Sequence, residues 1–238
     1  MNREKELSDL VDELQRAAGN NLRSLVLYGS AAGGEFHEAH SDLNILGLFE
    51  RLDAESLRRL HPVVAMWAGK GHPAPLLLTV SELHSAADVF AIEFLDISAR
   101  RRTLHGEDFF ASLEVPMALH RHQVERELRV NLLRLRQSAA LAGTGDAALA
   151  QLMLKSVAAF CVLFRHALLA LGEKAPDSRR ETCRRLAAAL GFDAAPFEVV
   201  LDVREAKQPR KALNADVFAS YLAAVAMAAD QFDRRVAA

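Results

Sequence analysis

The chain has 238 residues, of which 51% are hydrophobic and 25% charged, the usual proportions of a folded globular protein. Its charged beginning, residues 1–6, lacks the apolar stretch of a signal peptide, which argues against secretion and predicts a cytoplasmic protein. The most apolar stretch, residues 157–171, is interrupted by Arg165 and His166, so no membrane span is predicted.

Charge is divided unevenly along the chain. Residues 1–116 contain 18 acidic and 11 basic side chains, a net charge of −7, whereas residues 117–238 contain 13 and 18, a net charge of +5. This difference predicts two domains with these boundaries and with different surfaces. The basic half lacks the clustered arginine, lysine and aromatic residues of a single-strand binder, so we do not expect nucleic-acid binding. Mutual attraction of the two halves is the simpler interpretation.

In the first half, helical and strand patterns alternate. Apolar spacing predicts a helix over 4–18, a buried strand over 22–28, a second strand over 43–49, a helix over 54–68 and a third strand over 76–80. A short helix follows from Ser81, the segment 89–97 fits more than one structure, and Thr103-Leu104 fits an edge strand. We therefore predict an α/β domain with a small mixed sheet and flanking helices.

After Pro116 alanine and leucine dominate and helical periodicity is nearly continuous. This pattern predicts an all-α domain, a bundle of five helices at about 118–142, 147–171, 178–190, 195–206 and 214–235. Cys161 and Cys183 lie far apart in the sequence on apolar helix faces, where we expect reduced, packed thiols. The apolar face at residues 223–229 fits either internal packing or a homodimer.

One motif points to chemistry. The predicted strand Leu25–Tyr28 leads into Gly29-Ser30, and a polar loop then leads to the acidic strand that begins at Ser41-Asp42-Leu43-Asn44. Gly29 lets the backbone approach a phosphate closely, and Ser30 offers it an amide and a hydroxyl. Asp42 and Asn44 are two apart on a strand, so both side chains point into one site. Carboxylates placed in this way hold divalent cations against a triphosphate.

This stretch resembles the Gly-Ser…Asp-x-Asp signature of the nucleotidyltransferase superfamily, which includes aminoglycoside adenylyltransferases and small bacterial antitoxin-like proteins. The motif itself covers about 25 residues, and the order of elements extends the likeness to about residue 110. The helical second half resembles, more weakly, the bundles appended to such domains. The resemblance implies Gly29 and Ser30 as phosphate-binding residues, Asp42 and Asn44 as catalytic residues, Mg²⁺ or Mn²⁺ on Asp42 as cofactor, and a nucleoside triphosphate as substrate.

The sequence departs from the family pattern at three places. Asn44 stands where the family has a second aspartate, and its neutral amide brings one oxygen but no charge. The third carboxylate of the family comes from the next strand, where this chain has Leu77 and Leu78. The arginine common soon after the Gly-Ser pair is missing from residues 31–34. With two of three carboxylates missing, we expect metal binding and transfer to be weak or lost.

Glu93 and Asp96 are auxiliary acids that could restore charge to this site. They lie in an apolar stretch, and three residues apart they share a helix face if the segment is helical. Buried acids of this kind can mark a site. Ion pairing with the arginines at 100–102 is the simpler interpretation, and we favour it.

His37 and His40 precede Asp42 in a His-x-x-His-x-Asp string whose spacing suits zinc or manganese. Solvated loop residues are the more common outcome for such a string. In the second half, Arg129 and Arg136 fall two turns apart on one helix face, where they could meet phosphate or be solvated beside Glu125 and Glu127. A ribonuclease motif of the toxin type needs an arginine four to six residues before a histidine, and none stands there before His120, His122 or His166.

Two functions therefore remain. The first is transfer of a nucleoside monophosphate from a triphosphate to a small-molecule or protein hydroxyl, for which the acidic first half suits a small cationic acceptor. The second is an inactive nucleotide sensor or partner-binding protein on the same fold. A carboxylate restored by Glu93 or Asp96 would support the first, and we lean slightly to the second.

Overall fold

A computed structural model describes residues 3–32, 43–143 and 145–237. The chain divides into two compact units, Met1–Met117 and Ala118–Ala238. The two units have different architectures.

The first unit is a four-stranded mixed sheet with helices on both faces. Its strands lie in the order β3-β2-β1-β4; β1 is antiparallel to β2 and β4, and β2 is parallel to β3. The elements in chain order are α1 (Arg3–Ala18), β1 (Leu22–Tyr28), β2 (Asn44–Phe49), α2 (Ala54–Gly69), β3 (Leu76–Thr79), α3 (Val80–Ser85), α4 (Ala91–Ala99) and β4 (Arg101–Gly106). The predicted mixed sheet with flanking helices is confirmed.

Alternation along the strands divides the core into two layers. Leu25 and Leu27 of β1 face one way and pack with α1 and α2, whereas Val26 faces the other way and packs with α3 and α4. Trp67 of α2 is fully buried in the first layer and stacks on the His72 ring with centroids 4.2 Å apart. Both faces of the central strands are therefore covered, which explains their continuous apolar sequence.

The structure decides the segments whose pattern was uncertain. The ambiguous stretch 89–97 is helical from Ala91 onward, within α4, with Phe94 and Ile97 buried against the sheet. Thr103 and Leu104 lie in β4, at an edge of the sheet beside β1, as predicted. The third strand ends one residue earlier than expected, because Thr79 caps α3 in a capping box with Glu82.

The second unit consists of five helices in its described part. They are α5 (His120–Ala142), α6 (Asp146–Ala170), α7 (Arg179–Leu190), α8 (Ala195–Arg204) and α9 (Ala215–Ala237). Helix α6 contacts the other four and supplies eleven of its 25 residues to the buried interior. Phe164, fully buried on α6, has Phe160, Phe192 and Phe197 as ring neighbours with centroids 5.0 to 6.2 Å away. An aromatic cluster therefore forms the centre of this unit.

Helix α6 corrects the expectation that no segment could span a membrane. By length and composition alone it qualifies, because a window of the helix is apolar enough even with the few charged residues it contains. In the structure 44% of that window is buried inside the protein. The core helix of a soluble bundle passes the same test, so length and composition alone do not establish a membrane span.

The two cysteines, far apart in the sequence, are neighbours in the fold. Cys161 on α6 and Cys183 on α7 are both buried and free, with their Sγ atoms 3.7 Å apart. The predicted packed thiols are thus a pair rather than two separate core residues. The Cys183 thiol beside it and the nearby guanidinium of Arg179 hold the pKa of Cys161 below its ordinary value.

Candidate functional site

The motif residues Gly29-Ser30 form a single 3-10 turn, Gly29–Ala31, directly after β1. Gly29 has φ +78°, a conformation that glycine adopts without strain. In a 3-10 turn the first two amides have no partner inside the turn. That of Gly29 donates to the Arg100 carbonyl at 3.0 Å, and the Ser30 amide has no acceptor within the turn.

Asn44 lies beside this turn at the start of β2. It is paired with Tyr28 in the ladder, and a Cβ added to Gly29 would lie 3.4 Å from the Asn44 Nδ2 atom. The structure therefore brings Gly29 and Asn44 together, as the motif predicts. Burial raises the pKa of Tyr28, the ladder partner of Asn44, so its phenol stays neutral. The roles of Gly29, Ser30 and Asn44 stay predictions.

Asp42, His37 and His40 lie outside the described residues. Their proposed roles as metal ligands therefore stay predictions from the sequence. The parts of the chain that the structure does describe contain no group of three or more histidine, cysteine and acidic side chains suited to a metal ion. Of the residues predicted for the metal site, only Asn44 lies in the described parts of the chain, and its amide is neutral.

The neighbouring strand β3 brings no carboxylate to the site. It pairs in parallel with β2 from Leu46–Leu76 to Phe49–Thr79, and its residues are three leucines and a threonine. Leu77 lies opposite Gly47, inside the sheet rather than level with Asn44. The donors present in the described sheet therefore do not fit a two-metal site of the kind that the sequence motif implies.

Glu93 and Asp96 differ from the expectation of buried acids. Helix α4 covers the sheet face to which Asn44 belongs, because Leu46 and Leu48 of the same alternating set pack in one cluster with α4. Glu93 is nevertheless exposed and Asp96 is half-buried. Apolar neighbours in sequence did not imply burial here, since a short amphipathic helix has one face in water.

Two of the three arginines expected to pair with these acids pair elsewhere. Arg101 holds Asp108 through two nitrogens, at 2.9 Å for the shortest bonds, and Arg102 pairs with Glu4 at 3.1 Å. Both arginines lie on β4 opposite the end of β1, with Arg101 level with Tyr28 and Arg102 level with Leu27. Basic side chains thus line this edge of the sheet.

Sequence reasoning did not find Arg3. Its Nη2 atom donates to the Ala31 carbonyl at 2.5 Å, which places a guanidinium against the Gly29–Ala31 turn. The two residues are 28 apart in the chain and belong to no shared motif. A contact of this kind has no local pattern, so only the fold shows it.

In the second unit, Arg129 of α5 is held by Glu125 at 2.9 Å and by Asp233 of α9 at 2.7 Å. These carboxylates raise its pKa above the ordinary value. This geometry favours the solvated, paired interpretation over contact with phosphate. His120 and His166 are both buried, with His120 Nε2 2.9 Å from His166 Nδ1.

The sheet, its order of strands and the following helices define a nucleotidyltransferase-type fold with an appended helical region. No protein-family model and no curated protein sequence matches the chain. The fold is similar to that of spectinomycin adenyltransferase AAD(9) from Enterococcus faecialis, whose crystal structure contains ATP and spectinomycin. The TM-score is 0.56 at 12% identity, and the match covers 98% of this chain and 99% of that one. At this identity the likeness shows the fold alone.

Proposed function

We propose that this protein binds a nucleoside triphosphate at the Gly29–Ala31 turn and that its nucleotidyl transfer is weak or lost. The observation that carries the proposal is the close approach of Asn44 to Gly29, because it unites both halves of the sequence motif in one place. The similar solved protein contains ATP in its crystal structure, which supports a nucleotide as the ligand.

Phosphate binding follows from the geometry of the turn. A glycine at φ +78° leaves the backbone uncovered, and the Ser30 amide can donate to a phosphate oxygen. Asn44 can orient such an oxygen through its amide without adding negative charge. Asp42 would be the principal metal ligand in this site.

Weak or lost transfer follows from the donor set. In-line displacement on a triphosphate needs its charge neutralised, and a bound Mg²⁺ or Mn²⁺ supplies that chemistry in the family. Because Asn44 and Leu77 stand where the resemblance implies carboxylates, Asp42 is the one predicted carboxylate that remains to bind the metal ion. If transfer persists, the net charge of −7 on residues 1–116 favours a small cationic acceptor. If it is lost, nucleotide sensing or partner binding is the function that remains.

Calorimetry with ATP, GTP, CTP and UTP, with and without Mg²⁺ or Mn²⁺, tests this proposal on four proteins. Wild type should bind at least one triphosphate, and Asp42→Ala should lose the metal-dependent part. Asn44→Asp should strengthen metal-dependent binding about tenfold or more, about 1.4 kcal/mol, because it adds a charged ligand. Asn131→Asp, on α5 of the second unit, adds the same charge elsewhere and should leave the affinity for the nucleotide unchanged.

No binding at millimolar nucleotide with either metal would overturn the proposal. An equal response to Asn44→Asp and Asn131→Asp would show that added charge, and not the site, changes the affinity. Transfer to a hydroxyl acceptor by wild type at the rate of an ordinary enzyme would contradict the weak-or-lost part alone.

A further inference from the structure

Cys161 and Cys183, the two cysteines of the chain, lie side by side in the second unit. Cys161 is on α6 and Cys183 is on α7, and their Sγ atoms are 3.7 Å apart. A disulfide bond is about 2.05 Å long, so the two sulfurs need to approach each other by about 1.7 Å to form one. Because the chain has no third cysteine, this pair is the one disulfide that a single molecule can form.

Their surroundings make the two thiols chemically different. The hydrogen bond with the Cys183 thiol, assisted by the nearby guanidinium groups of Arg179 and Arg204, holds the pKa of Cys161 below its ordinary value. The same hydrogen bond, together with burial, raises the pKa of Cys183. The thiolate is the form of cysteine that attacks an oxidant. Cys161 is therefore the residue expected to react first, with Cys183 next to it as the second sulfur.

Burial restricts which oxidants can reach this pair. Cys161 is 3% exposed and Cys183 is 0% exposed. A molecule as small as hydrogen peroxide needs a smaller local opening of the bundle than a bulky disulfide reagent does. Burial also keeps the sulfurs of different molecules apart. Oxidation should therefore link the two cysteines of one chain and should not link two chains.

We propose that Cys161 and Cys183 form a reversible disulfide that fastens α7 to α6 when a peroxide is present. The Cys161 thiolate attacks one oxygen of hydrogen peroxide, and the O–O bond breaks to give a sulfenic acid and a hydroxide ion, which takes up the proton released by Cys161. The Cys183 sulfur then attacks the sulfenic sulfur, and hydroxide leaves with the Cys183 proton as water. Two thiols are oxidised to a disulfide, and one peroxide is reduced to two molecules of water.

The bond would change the stability of the second unit. It closes the segment from Cys161 to Cys183 into a ring, which reduces the conformational freedom of the unfolded chain. The oxidised protein should therefore unfold at a temperature about 5 °C or more above that of the reduced protein. A dithiol reductant such as dithiothreitol should restore both thiols and remove this difference.

The test is a count of free thiols after folded wild type has been treated with hydrogen peroxide. The protein is then unfolded in urea and labelled with N-ethylmaleimide, and its intact mass gives the number of labels. Wild type should lose both thiols, stay a single chain and be lighter by two hydrogen atoms. Thermal unfolding of the same samples, before and after dithiothreitol, measures the expected shift.

Cys161→Ser and Cys183→Ser are matched controls for each other, because each removes one sulfur and keeps a side chain of similar size. With peroxide, Cys183→Ser should stop at a sulfenic acid on Cys161, which dimedone traps. Cys161→Ser should lose its remaining thiol about tenfold or more slowly, because the pKa of Cys183 is raised. Neither variant should unfold at a higher temperature after oxidation.

Three results would overturn the proposal: both thiols of wild type survive peroxide, linked dimers form instead, or the disulfide forms in urea but not in the folded protein. Equal rates of thiol loss in the two serine variants would overturn the assignment of Cys161 as the first nucleophile. The thiol count uses no nucleotide, and both cysteines lie in the second unit. Failure of this proposal therefore leaves the proposed nucleotide binding untouched, and the reverse also holds.

Discussion

The second unit has the positive net charge, yet several of its described arginines are engaged by carboxylates of the same unit. Arg129 is held by Glu125 and Asp233, and Arg180 by Asp202 and Glu205. The first unit is net negative, yet the guanidinium of Arg3 lies against its Gly29–Ala31 turn. The net charge of a domain thus does not describe its local charges, because pairing within the unit decides how each charge is used.

The two units also differ in what stabilises them. The first is a sheet whose backbones approach closely, and the second is a bundle centred on aromatic rings. Substitutions that act on packing and on backbone space should therefore affect them differently.

Phe164→Ala should reduce the free energy of unfolding by about 3–5 kcal/mol, because it removes the ring at the centre of the aromatic cluster of the second unit. Urea denaturation followed by far-ultraviolet circular dichroism measures this loss. Leu133→Ala, on the exposed side of α5, should change stability by no more than about 0.5 kcal/mol. A loss below about 1 kcal/mol for Phe164→Ala would contradict the central role of this cluster.

Gly106→Ala should cost about 2–4 kcal/mol in the first unit, since it combines a left-handed backbone with overpacking. Gly106 has φ +73°, and an added Cβ would overlap the backbone carbonyl of Arg23 on the neighbouring strand. Gly191→Ala in the second unit shares the backbone conformation, with φ +75°, but its Cβ would meet nothing within 4 Å. It should cost only about 1 kcal/mol. Chemical denaturation of both variants measures the two losses of stability. Equal losses would show that the clash between the added Cβ and the neighbouring strand does not determine the cost at Gly106.

Asp108→Asn should cost about 1 kcal/mol at pH 7, a small value because the carboxylate is partly exposed. Arg101 holds the pKa of Asp108 below its usual range, mainly through their hydrogen bonds. A depressed pKa in the folded state gives stability that is present above the ordinary carboxyl pKa and lost as pH falls through the lower folded value. The difference between wild type and Asp108→Asn should therefore shrink on acidification from pH 7 towards about pH 2.

Urea denaturation at several pH values measures this convergence. Glu205→Gln is the counterpart in the second unit, where Lys207 first and Arg180 second lower the pKa of the Glu205 carboxyl. The difference in the free energy of unfolding between wild type and Glu205→Gln should also shrink as the pH falls. A gap between wild type and Asp108→Asn that widens in acid would refute the assigned ion pair.

Local patterns were enough to predict most of the fold. Alternating and helical spacing located β1, β2 and the five helices of the second unit because those signals depend on neighbours in sequence. The proximity of Gly29 to Asn44 was also predictable, since both belong to one motif. Contacts between distant segments were not. Arg3 against Ala31 and Cys161 against Cys183 depend on how elements pack, which no local spacing records.

The exposure of Glu93 illustrates a second limit. Its apolar neighbours suggested a buried acid, but α4 buries Phe94 and Ile97 and leaves Glu93 exposed. Hydrophobic content of a segment predicts that it packs, whereas the face that packs depends on the angle at which the helix meets the sheet.

Trp67, the single tryptophan of the chain, gives the molecule an optical label that was not engineered. It lies in the layer formed by α1 and α2 and stacks on His72, so its emission responds to the packing of that layer. Excitation selective for tryptophan therefore follows the half of the chain that contains the Gly29–Ala31 turn, while the bundle, which has no tryptophan, contributes no such emission. Loosening of the α1–α2 layer, such as that caused by a variant at the start of α1, becomes visible in a cuvette without any attached dye.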